Sequence, residues 1–411
     1  MKRLCPLLAL AACLAAQAQA TDRPDLPDTA MALAVIDADP AVARARFALE
    51  AARHRGTAIA AGPYEWTIST SAQRRRYRTG EPDAREWSAG LERTFRAPGK
   101  AGLDSRLGDA QVRVASAQFA LARLEVAQSL LEMWMDWAGA ERLRAAWAAQ
   151  QDFAQANADA VGRRQKAGDA SRLDENNAAA DLVEVQRQRA DADSLGAIAR
   201  ARLQARFPQL RLAAPPLRDP LPLDGEAGSL RSAILDGNAA LAVLQEQSRE
   251  AALAASRAEA DRTPDPTLGV NTVSEGRAGA ERLIGLTLSI PLGGTYRDAR
   301  VQEALRMQDA AQSALDARWL ELEALVAERL ADAGGSYARW QYASRSMAIT
   351  RDNARLTQRA FSLGEADLQT LLLSRRLSGD AALGELQARS AALRAGYRLR
   401  LEAHQLWALE P

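Results

Sequence analysis

The pattern of apolar and polar residues first predicts two very long helices. Between Lys100 and about Arg163 there is no proline, and small or apolar residues return at alternating steps of three and four, with one break at Gln128. This heptad-like stripe consists of Leu103, Leu107, Ala110, Val114, Ala117, Leu121, Leu124, Leu131, Met135 and Ala138. At 1.5 Å per residue, about 64 helical residues would extend roughly 100 Å, which is too long for the interior of a compact domain.

A second stretch of the same kind runs from Arg297 to about Phe361. Its stripe consists of Val301, Leu305, Leu315, Trp319, Leu322 and Val326. Each long helix is predicted to reverse at a glycine, near Gly168 and near Gly364, and each is followed by a shorter helical segment. The pattern therefore predicts two long antiparallel helical hairpins of coiled-coil type.

Short segments with a period of two precede each long helix. Residues 64–72 and 87–95 alternate apolar and polar side chains, and the polar segment 74–84 between them predicts a hairpin loop. Residues 267–273 and 283–290 predict a second pair of strands. The first pair has the length of about 9–11 residues that a tilted transmembrane strand needs.

The order of helix, two strands, long helix, turn and helix occurs twice. We therefore predict two structural repeats, residues 21–215 with a β-hairpin at 64–95 and residues 216–411 with a β-hairpin at 267–290. Gly90-Leu91 matches Gly285-Leu286, and Gly168 matches Gly364. Four strands alone would leave open edges in a bilayer, whereas three copies would supply twelve strands and a closed barrel. The predicted fold is mainly α with a small β part, assembled as a homotrimer with a twelve-stranded barrel and an α-helical tunnel.

The N-terminus predicts a signal peptide over residues 1–20. Lys2 and Arg3 are followed by an apolar run, and Ala18-Gln19-Ala20 is a small-residue cleavage site. Cleavage there would remove Cys5 and Cys13, the only two cysteines. As an alternative, the segment ending at Cys13 matches a bacterial lipobox, so that lipidation at Cys13 stays open.

Composition and charge favour a passive role. The 53 basic and 52 acidic residues balance, which argues against nucleic acid as a partner. The two histidines, His54 and His404, have no second ligand at metal spacing, and no nucleophile motif is present. We therefore predict no metal site, no cofactor and no enzymatic activity.

Four motifs, two at strand ends and two at helix turns, together resemble one known family. They are the strand ends Gly90–Phe95, followed by Pro98-Gly99-Lys100, and Gly285–Leu292, and the turns Lys166–Asp174 and Phe361–Leu368. The chain resembles the outer-membrane efflux proteins, the TolC-like family of trimeric channel–tunnels. The Gly-Lys after the first pair of strands is similar to the CzcC-like heavy-metal branch.

The resemblance implies a location, partners and site residues. The barrel would lie in outer-membrane lipid and the helical tunnel in the periplasm, where the trimer would meet a periplasmic adaptor protein and an inner-membrane pump of RND type. Gly168, Ser171 and Gly364 would contact the adaptor. The acidic residues at the turns, Asp169, Asp174, Glu365 and Asp367, would form the tunnel constriction. Thr370 departs from this pattern, because it occupies the position equivalent to Asp174. A second interpretation is that these carboxylates cap helix N-termini.

The predicted function is an outer-membrane channel of a tripartite efflux system that exports small molecules or metal ions. Two alternatives stay open: an outer-membrane channel for type I protein secretion, and a periplasmic coiled-coil scaffold without a barrel. The arginines at 74, 75, 76 and 78 could face lipopolysaccharide phosphates or lie in a solvated loop.

Overall fold

The computed structural model describes residues 24–78, 83–213, 215–223, 225–275, 281–407 and 409. The elements in these residues are α1 (Thr29–Asp37), α2 (Pro40–Ala61), β1 (Thr67–Arg75), β2 (Ala84–Thr94), α3 (Lys100–Lys166), α4 (Arg172–Arg206), α5 (Ala227–Asp236), α6 (Ala239–Ala260), β3 (Thr267–Glu275), β4 (Glu281–Ser289), α7 (Thr295–Ser362) and α8 (Leu368–Glu402). The two long helices, α3 and α7, contain 67 and 68 residues. The mainly helical fold with a small sheet is as predicted.

The four strands form one antiparallel sheet in the order β1-β2-β3-β4. The central pair joins distant parts of the chain, since Leu91 in β2 lies opposite Val270 in β3. Leu91 also faces Ile68 in β1, and Val270 faces Leu286 in β4. Both hairpins thus contribute to one cross-strand row of apolar side chains, and β1 and β4 are the edges of the sheet.

The chain divides into two compact units. One, here called the sheet unit, comprises residues 40–124 and 235–325; the other, here called the tip unit, comprises the described residues of 1–39, 125–234 and 326–409. Each unit takes segments from both halves of the sequence, so neither corresponds to one predicted repeat. The long helices contribute residues to both units.

In the sheet unit, α2 and α3 approach each other at two glycines. A Cβ atom added at Gly108 would lie 2.8 Å from the carbonyl oxygen of Gly56, and one added at Gly56 would lie 3.1 Å from that of Gly108. Because both obstacles are backbone atoms, larger side chains would force the helices apart. This contact explains why α3 has a glycine at position 108, next to Leu107 of the apolar stripe.

In the tip unit, two tryptophans of α3 are part of the buried core. The rings of Trp134 and Trp137 meet edge to face with centroids 4.9 Å apart, and both side chains are buried. The break in the stripe at Gln128 also has a cause here. The Gln128 side-chain amide donates to the buried Glu402 carboxylate at 3.2 Å.

Residues 21–30 contain three acidic residues and two prolines, a composition that predicts an extended tether. This prediction was wrong for the described part of the segment. Asp25 is fully buried and accepts a hydrogen bond from the hydroxyl of Tyr397. Trp134 donates to the Asp25 carbonyl at 2.8 Å, and Trp407 donates to the Pro27 carbonyl at 3.3 Å. The N-terminal segment is therefore part of the core of the tip unit, and α1 begins directly after it, capped by Asp28.

Strand bounds differ from the prediction by two or three residues at several ends. β1 begins at Thr67 rather than Tyr64 and continues to Arg75, so Arg74 and Arg75 belong to the strand instead of the loop. β2 begins at Ala84, three residues before the predicted start. Among the described helices, none has both the length and the apolar character required to cross a membrane.

Candidate functional site

The two predicted turns of the tip unit have the same backbone geometry. Gly168 and Gly364 have positive φ angles of 84° and 79°, as a helix-ending glycine requires. The amide of Asp169 donates to the Arg164 carbonyl at 2.8 Å, and the amide of Glu365 donates to the Ala360 carbonyl at 2.9 Å. Both helices thus end in a Schellman motif, which a glycine in the left-handed conformation makes possible.

The return helices begin with different caps at equivalent positions. Ser171 caps α4 in a capping box, in which its hydroxyl accepts from the Asp174 amide at 3.1 Å and the Asp174 carboxylate accepts from the Ser171 amide at 3.1 Å. Asp367 caps α8 and accepts from the Thr370 amide at 2.6 Å. That hydrogen bond lowers the pKa of the Asp367 carboxyl.

These caps account for the departure from the family pattern at Thr370. Each turn uses one carboxylate as a cap, at the third helical position in α4 and at the N-cap in α8. The capping interpretation thus describes Asp174 and Asp367. Asp169 and Glu365 have a different local role, because it is their backbone amides that close the Schellman motifs. All four side chains are at least partly exposed.

The two turns are also linked by a cation–π contact. The guanidinium carbon of Arg164 lies 5.5 Å from the ring centroid of Phe361. Such contacts are worth roughly 0.5–1 kcal/mol at exposed sites, which is enough to couple neighbouring turns weakly.

Replacing Ser171 with alanine should loosen the first turn. Loss of the cap is expected to cost about 1 kcal/mol and to speed amide exchange at residues 172–175 about fivefold, measured by hydrogen exchange. Ser362→Ala is the control, since the Ser362 hydroxyl donates to the Arg359 carbonyl within α7 and is not an N-cap. Equal exchange in both variants would contradict a capping role for Ser171.

One face of the sheet in the sheet unit is apolar and exposed. The row formed by Ile68, Leu91, Val270 and Leu286 has exposed fractions of 76%, 43%, 51% and 88%. Leu268, Ile284 and Leu288 add to the same face and are at least half exposed. Large apolar side chains are seldom left in water in such a contiguous patch, so this surface requires an apolar environment or a partner.

The opposite face of the sheet is mainly polar, although it includes the cross-strand pair Val273 and Leu283. Ser71 and Ser88 share a hydrogen bond of 2.8 Å, and Gln73 donates to Glu86 at 2.8 Å. The two glycines that the repeat aligned, Gly90 and Gly285, lie in one row of this face with Asn271. A Cβ atom at Gly285 would lie 2.6 Å from the Asn271 amide oxygen. These glycines therefore leave room for a polar side chain to lie across the strand.

The arginines after residue 73 are mainly ion-paired. Arg74 lies 2.8 Å from Asp83, and Arg76 lies 3.7 Å from the same carboxylate. Arg75 lies 3.0 Å from Glu86. Much of the positive charge predicted for this loop is thus neutralised within the hairpin.

A cluster of charged residues joins the sheet to the helices. Lys100 is 1% exposed, and its Nζ atom lies 2.8 Å from Asp261 and 2.9 Å from Asp265. The Tyr64 hydroxyl donates to Asp265 at 2.6 Å, and the Ala97 amide donates to the same carboxylate at 2.8 Å. Asp265 stands between Pro264 and Pro266 just before β3, so it connects both hairpins to the start of α3.

A second part of this cluster surrounds Asp104. Its carboxylate pairs with Arg257 from α6 and with Arg96, 2.9 Å away. Arg96 also donates to the carbonyls of Ala60 at 2.7 Å and Ala61 at 2.8 Å, at the end of α2. We call Tyr64, Arg96, Lys100, Asp104, Arg257, Asp261 and Asp265 the junction cluster. Its partners satisfy one another, which makes the burial of these charges tolerable.

The junction cluster shifts the pKa of its own members. Burial alone would raise the pKa of Asp265, but hydrogen bonds from Tyr64, the Ala97 amide and Lys100 outweigh it and lower that pKa below its ordinary value. The hydrogen bond to Asp265, together with burial, raises the pKa of Tyr64 to about 12. Tyr64 therefore stays a hydrogen-bond donor and Asp265 an acceptor throughout the neutral range.

Acid should weaken the sheet unit through Asp265. Because its pKa is lower in the folded state, its stabilising contribution is complete above the unfolded value of about 3.9 and is lost as pH falls through the folded value. We expect the thermal unfolding midpoint in detergent to fall on acidification, and Asp265→Asn to flatten this fall. Asp309→Asn, at an exposed ion pair with Arg306, is the control and should keep the wild-type slope. Identical slopes for Asp265→Asn and the wild type would contradict this assignment.

Sequence reasoning missed most of the junction cluster. Lys100 was noted only as part of Gly99-Lys100, and Asp265 was not singled out. Buried ion pairs between residues more than 150 positions apart leave no periodic signal. Two irregularities did mark the place: a lysine directly after Pro-Gly at a helix start, and an aspartate held between two prolines.

No group of three or more His, Cys, Asp or Glu side chains in the described residues could hold a metal ion. The Gly99-Lys100 pair has a structural role, since Gly99 takes a positive φ of 87° and Lys100 is in the junction cluster. Cys13 and the predicted signal peptide lie outside the described residues.

Comparison with known proteins gives a likeness of structure only. No family model and no curated protein sequence matches the chain. Among solved structures, the outer-membrane channel OprN superimposes with a TM-score of 0.78 at 18% identity, covering 94% of this chain and 91% of its own. The Campylobacter jejuni CmeC outer membrane channel superimposes with a TM-score of 0.76 at 14% identity. The alignment covers 91% of this chain and 86% of the CmeC chain. The Vibrio cholerae outer membrane protein VceC superimposes with a TM-score of 0.74 at 14% identity. The alignment covers 91% of this chain and 95% of the VceC chain. The chain therefore has the fold of these outer-membrane channels.

Proposed function

We propose that this chain is one protomer of a homotrimeric outer-membrane channel–tunnel in a tripartite efflux system. The observation that carries the proposal is the exposed apolar face of the sheet, bounded by the unpaired edges β1 and β4. In three copies, β4 of one protomer would pair with β1 of the next and close a twelve-stranded barrel. The apolar face would then lie against lipid and the polar face against water.

In this proposal the helices form a periplasmic tunnel that ends at the turns of the tip unit. Gly168, Ser171 and Gly364 would meet a periplasmic adaptor protein, which connects the channel to an inner-membrane pump, predicted to be of RND type. The likeness in fold to outer-membrane channels over nine-tenths of the chain supports this arrangement. The expected cargo is small molecules or metal ions selected by the pump.

The proposal also assigns the carboxylates at the turns to the tunnel constriction. Three copies of Asp169, Asp174, Glu365 and Asp367 around one axis would favour cations over anions. Capping does not exclude this role, because a capping carboxylate keeps its charge. Asparagine preserves a cap while removing the charge, so Asp174→Asn and Asp367→Asn separate the two roles. In planar bilayers, the double variant should show a weaker cation preference with its helices intact, because two of the four carboxylates in each protomer are gone. Unchanged preference would refute the assignment of Asp174 and Asp367 to the constriction.

The channel itself is tested by conductance of the purified protein in planar bilayers. Stepwise ion conductance is expected from a closed barrel. A periplasmic coiled-coil scaffold would produce none and would fractionate away from outer membranes. The remaining alternative, a channel for protein secretion, is tested by deleting the gene. Deletion should raise dye accumulation in cells and leave the levels of secreted proteins unchanged. The opposite outcome would indicate a type I secretion channel.

A further inference from the structure

A charged side chain, Arg93, lies at one end of the apolar face of the sheet, and further arginines on this face lie at its other end. Arg93 lies on this face near the end of β2, in the row that contains Leu268 and Leu288. Its guanidinium carbon is 5.4 Å from the ring centroid of Trp66 and 5.8 Å from that of Phe95. Both rings are exposed, Trp66 by 57% and Phe95 by 40%. At this end of the apolar face, a cation thus lies close to two exposed aromatic rings.

The guanidinium of Arg93 has further N–H donors besides the one in its hydrogen bond to the backbone. Its Nε atom donates to the Tyr64 carbonyl at 3.3 Å, which fixes the orientation of the side chain. Within the described part of the chain, no carboxylate pairs with Arg93, in contrast to the arginines at the other end of the hairpin. The two terminal nitrogens of a guanidinium form a fork that matches two oxygens of a phosphate.

The position of Arg93 along the strand matches the level of lipid headgroups. Trp87 and Arg282 lie in one row at the opposite end of the same face. Arg93 lies six positions after Trp87, which is roughly 20 Å along a strand and close to the apolar band of about 25 Å in outer-membrane barrels. Tryptophan and arginine therefore mark both borders of the apolar surface, and Arg93 marks the border at which β2 leads into α3.

We propose that Arg93, Trp66 and Phe95 form a binding site for the phosphate group of a membrane glycerophospholipid. The guanidinium would bind the phosphate, the two rings would lie at the interface, and the acyl chains would follow Leu268 and Leu288. The site rests on the proposed function, in which this face meets lipid and the α3 end of the sheet faces the periplasm. An anionic phospholipid is favoured over a zwitterionic one, because its headgroup has no ammonium to compete with Arg93.

The test is native mass spectrometry of the full-length protein in detergent with equal amounts of added phosphatidylglycerol and phosphatidylcholine. The wild-type particle is expected to retain phosphatidylglycerol preferentially. Arg93→Gln should reduce this retention about fivefold per site, while Arg93→Lys should keep part of it. The matched control is Arg282→Gln, on the same face at the opposite border, which should retain phosphatidylglycerol like the wild type.

Each outcome decides one point. Equal retention by Arg93→Gln and wild type, an equal loss in Arg282→Gln, or displacement of the lipid by inorganic phosphate alone would overturn the site while leaving a trimeric channel intact. A monomeric, detergent-independent particle would instead refute the proposed function on which the site rests. If Arg93→Gln fails to assemble, the Arg93→Lys variant provides the test. The site would be overturned if this variant retained phosphatidylglycerol no better than phosphatidylcholine.

Discussion

Replacing Lys100 with methionine is expected to lower the free energy of unfolding by about 3 kcal/mol, the lower end of the cost of breaking a buried ion pair. Methionine keeps much of the volume of the side chain but leaves Asp265 buried without its cation. Asp261 is 47% exposed in its side chain and can turn to water, which places the effect at the lower end of the range. The measurement is denaturant unfolding of the detergent-solubilised protein, followed by circular dichroism.

The matched control is an exposed ion pair on α7. Arg306 and Asp309 are 2.7 Å apart, with side chains 77% and 63% exposed. Arg306→Met should change the free energy of unfolding by at most about 1 kcal/mol. The double variant Lys100→Met with Asp265→Asn should regain part of the loss, because the uncompensated charge is gone. A loss of less than about 1 kcal/mol in Lys100→Met would show that the junction cluster does not hold the sheet to the helices.

A charge at the centre of the apolar face should prevent membrane insertion. Leu286→Arg places a guanidinium where the proposed barrel meets the middle of the bilayer, at a cost of about 2–4 kcal/mol for each protomer. Three copies in one trimer multiply this cost. We expect the variant to be lost from the outer-membrane fraction and from the heat-modifiable band on unheated gels.

The neighbouring residue provides the control. Thr287 is adjacent in β4 and faces the opposite, polar side of the sheet, next to Gly269. Thr287→Arg has the same added charge and strand position, but its side chain would enter water. It should therefore insert normally. Equal insertion of both variants would contradict the assignment of the apolar face to lipid.

Local signals in the sequence predicted most of the secondary structure. The long helices lack proline and keep one apolar stripe, and both Gly168 and Gly364 end a helix in the left-handed conformation that glycine favours. The strands were recognised by their alternation, yet β1 was placed three residues too early. The aromatic residues Tyr64 and Trp66 continue the alternation, but Tyr64 is held outside the sheet by Asp265.

Features that depend on distant partners could not be predicted in this way. The burial of Asp25 depends on Trp134, Tyr397 and the C-terminal segment, and nothing near Asp25 indicates it. Gly56 and Gly108 meet only after α2 folds against α3. At the turns, the sequence left capping and constriction as alternatives, because a carboxylate after a helix-ending glycine suits both roles. The capping geometry describes Asp174 and Asp367, and the constriction remains a proposal.

The oligomeric state tests the central claim most directly. We would measure the mass of the purified full-length protein in detergent by light scattering, with the detergent contribution subtracted. The account predicts three copies per particle, since only neighbouring protomers can pair β1 with β4 and close the sheet. A monomer would leave both edges open in the bilayer and would contradict the channel.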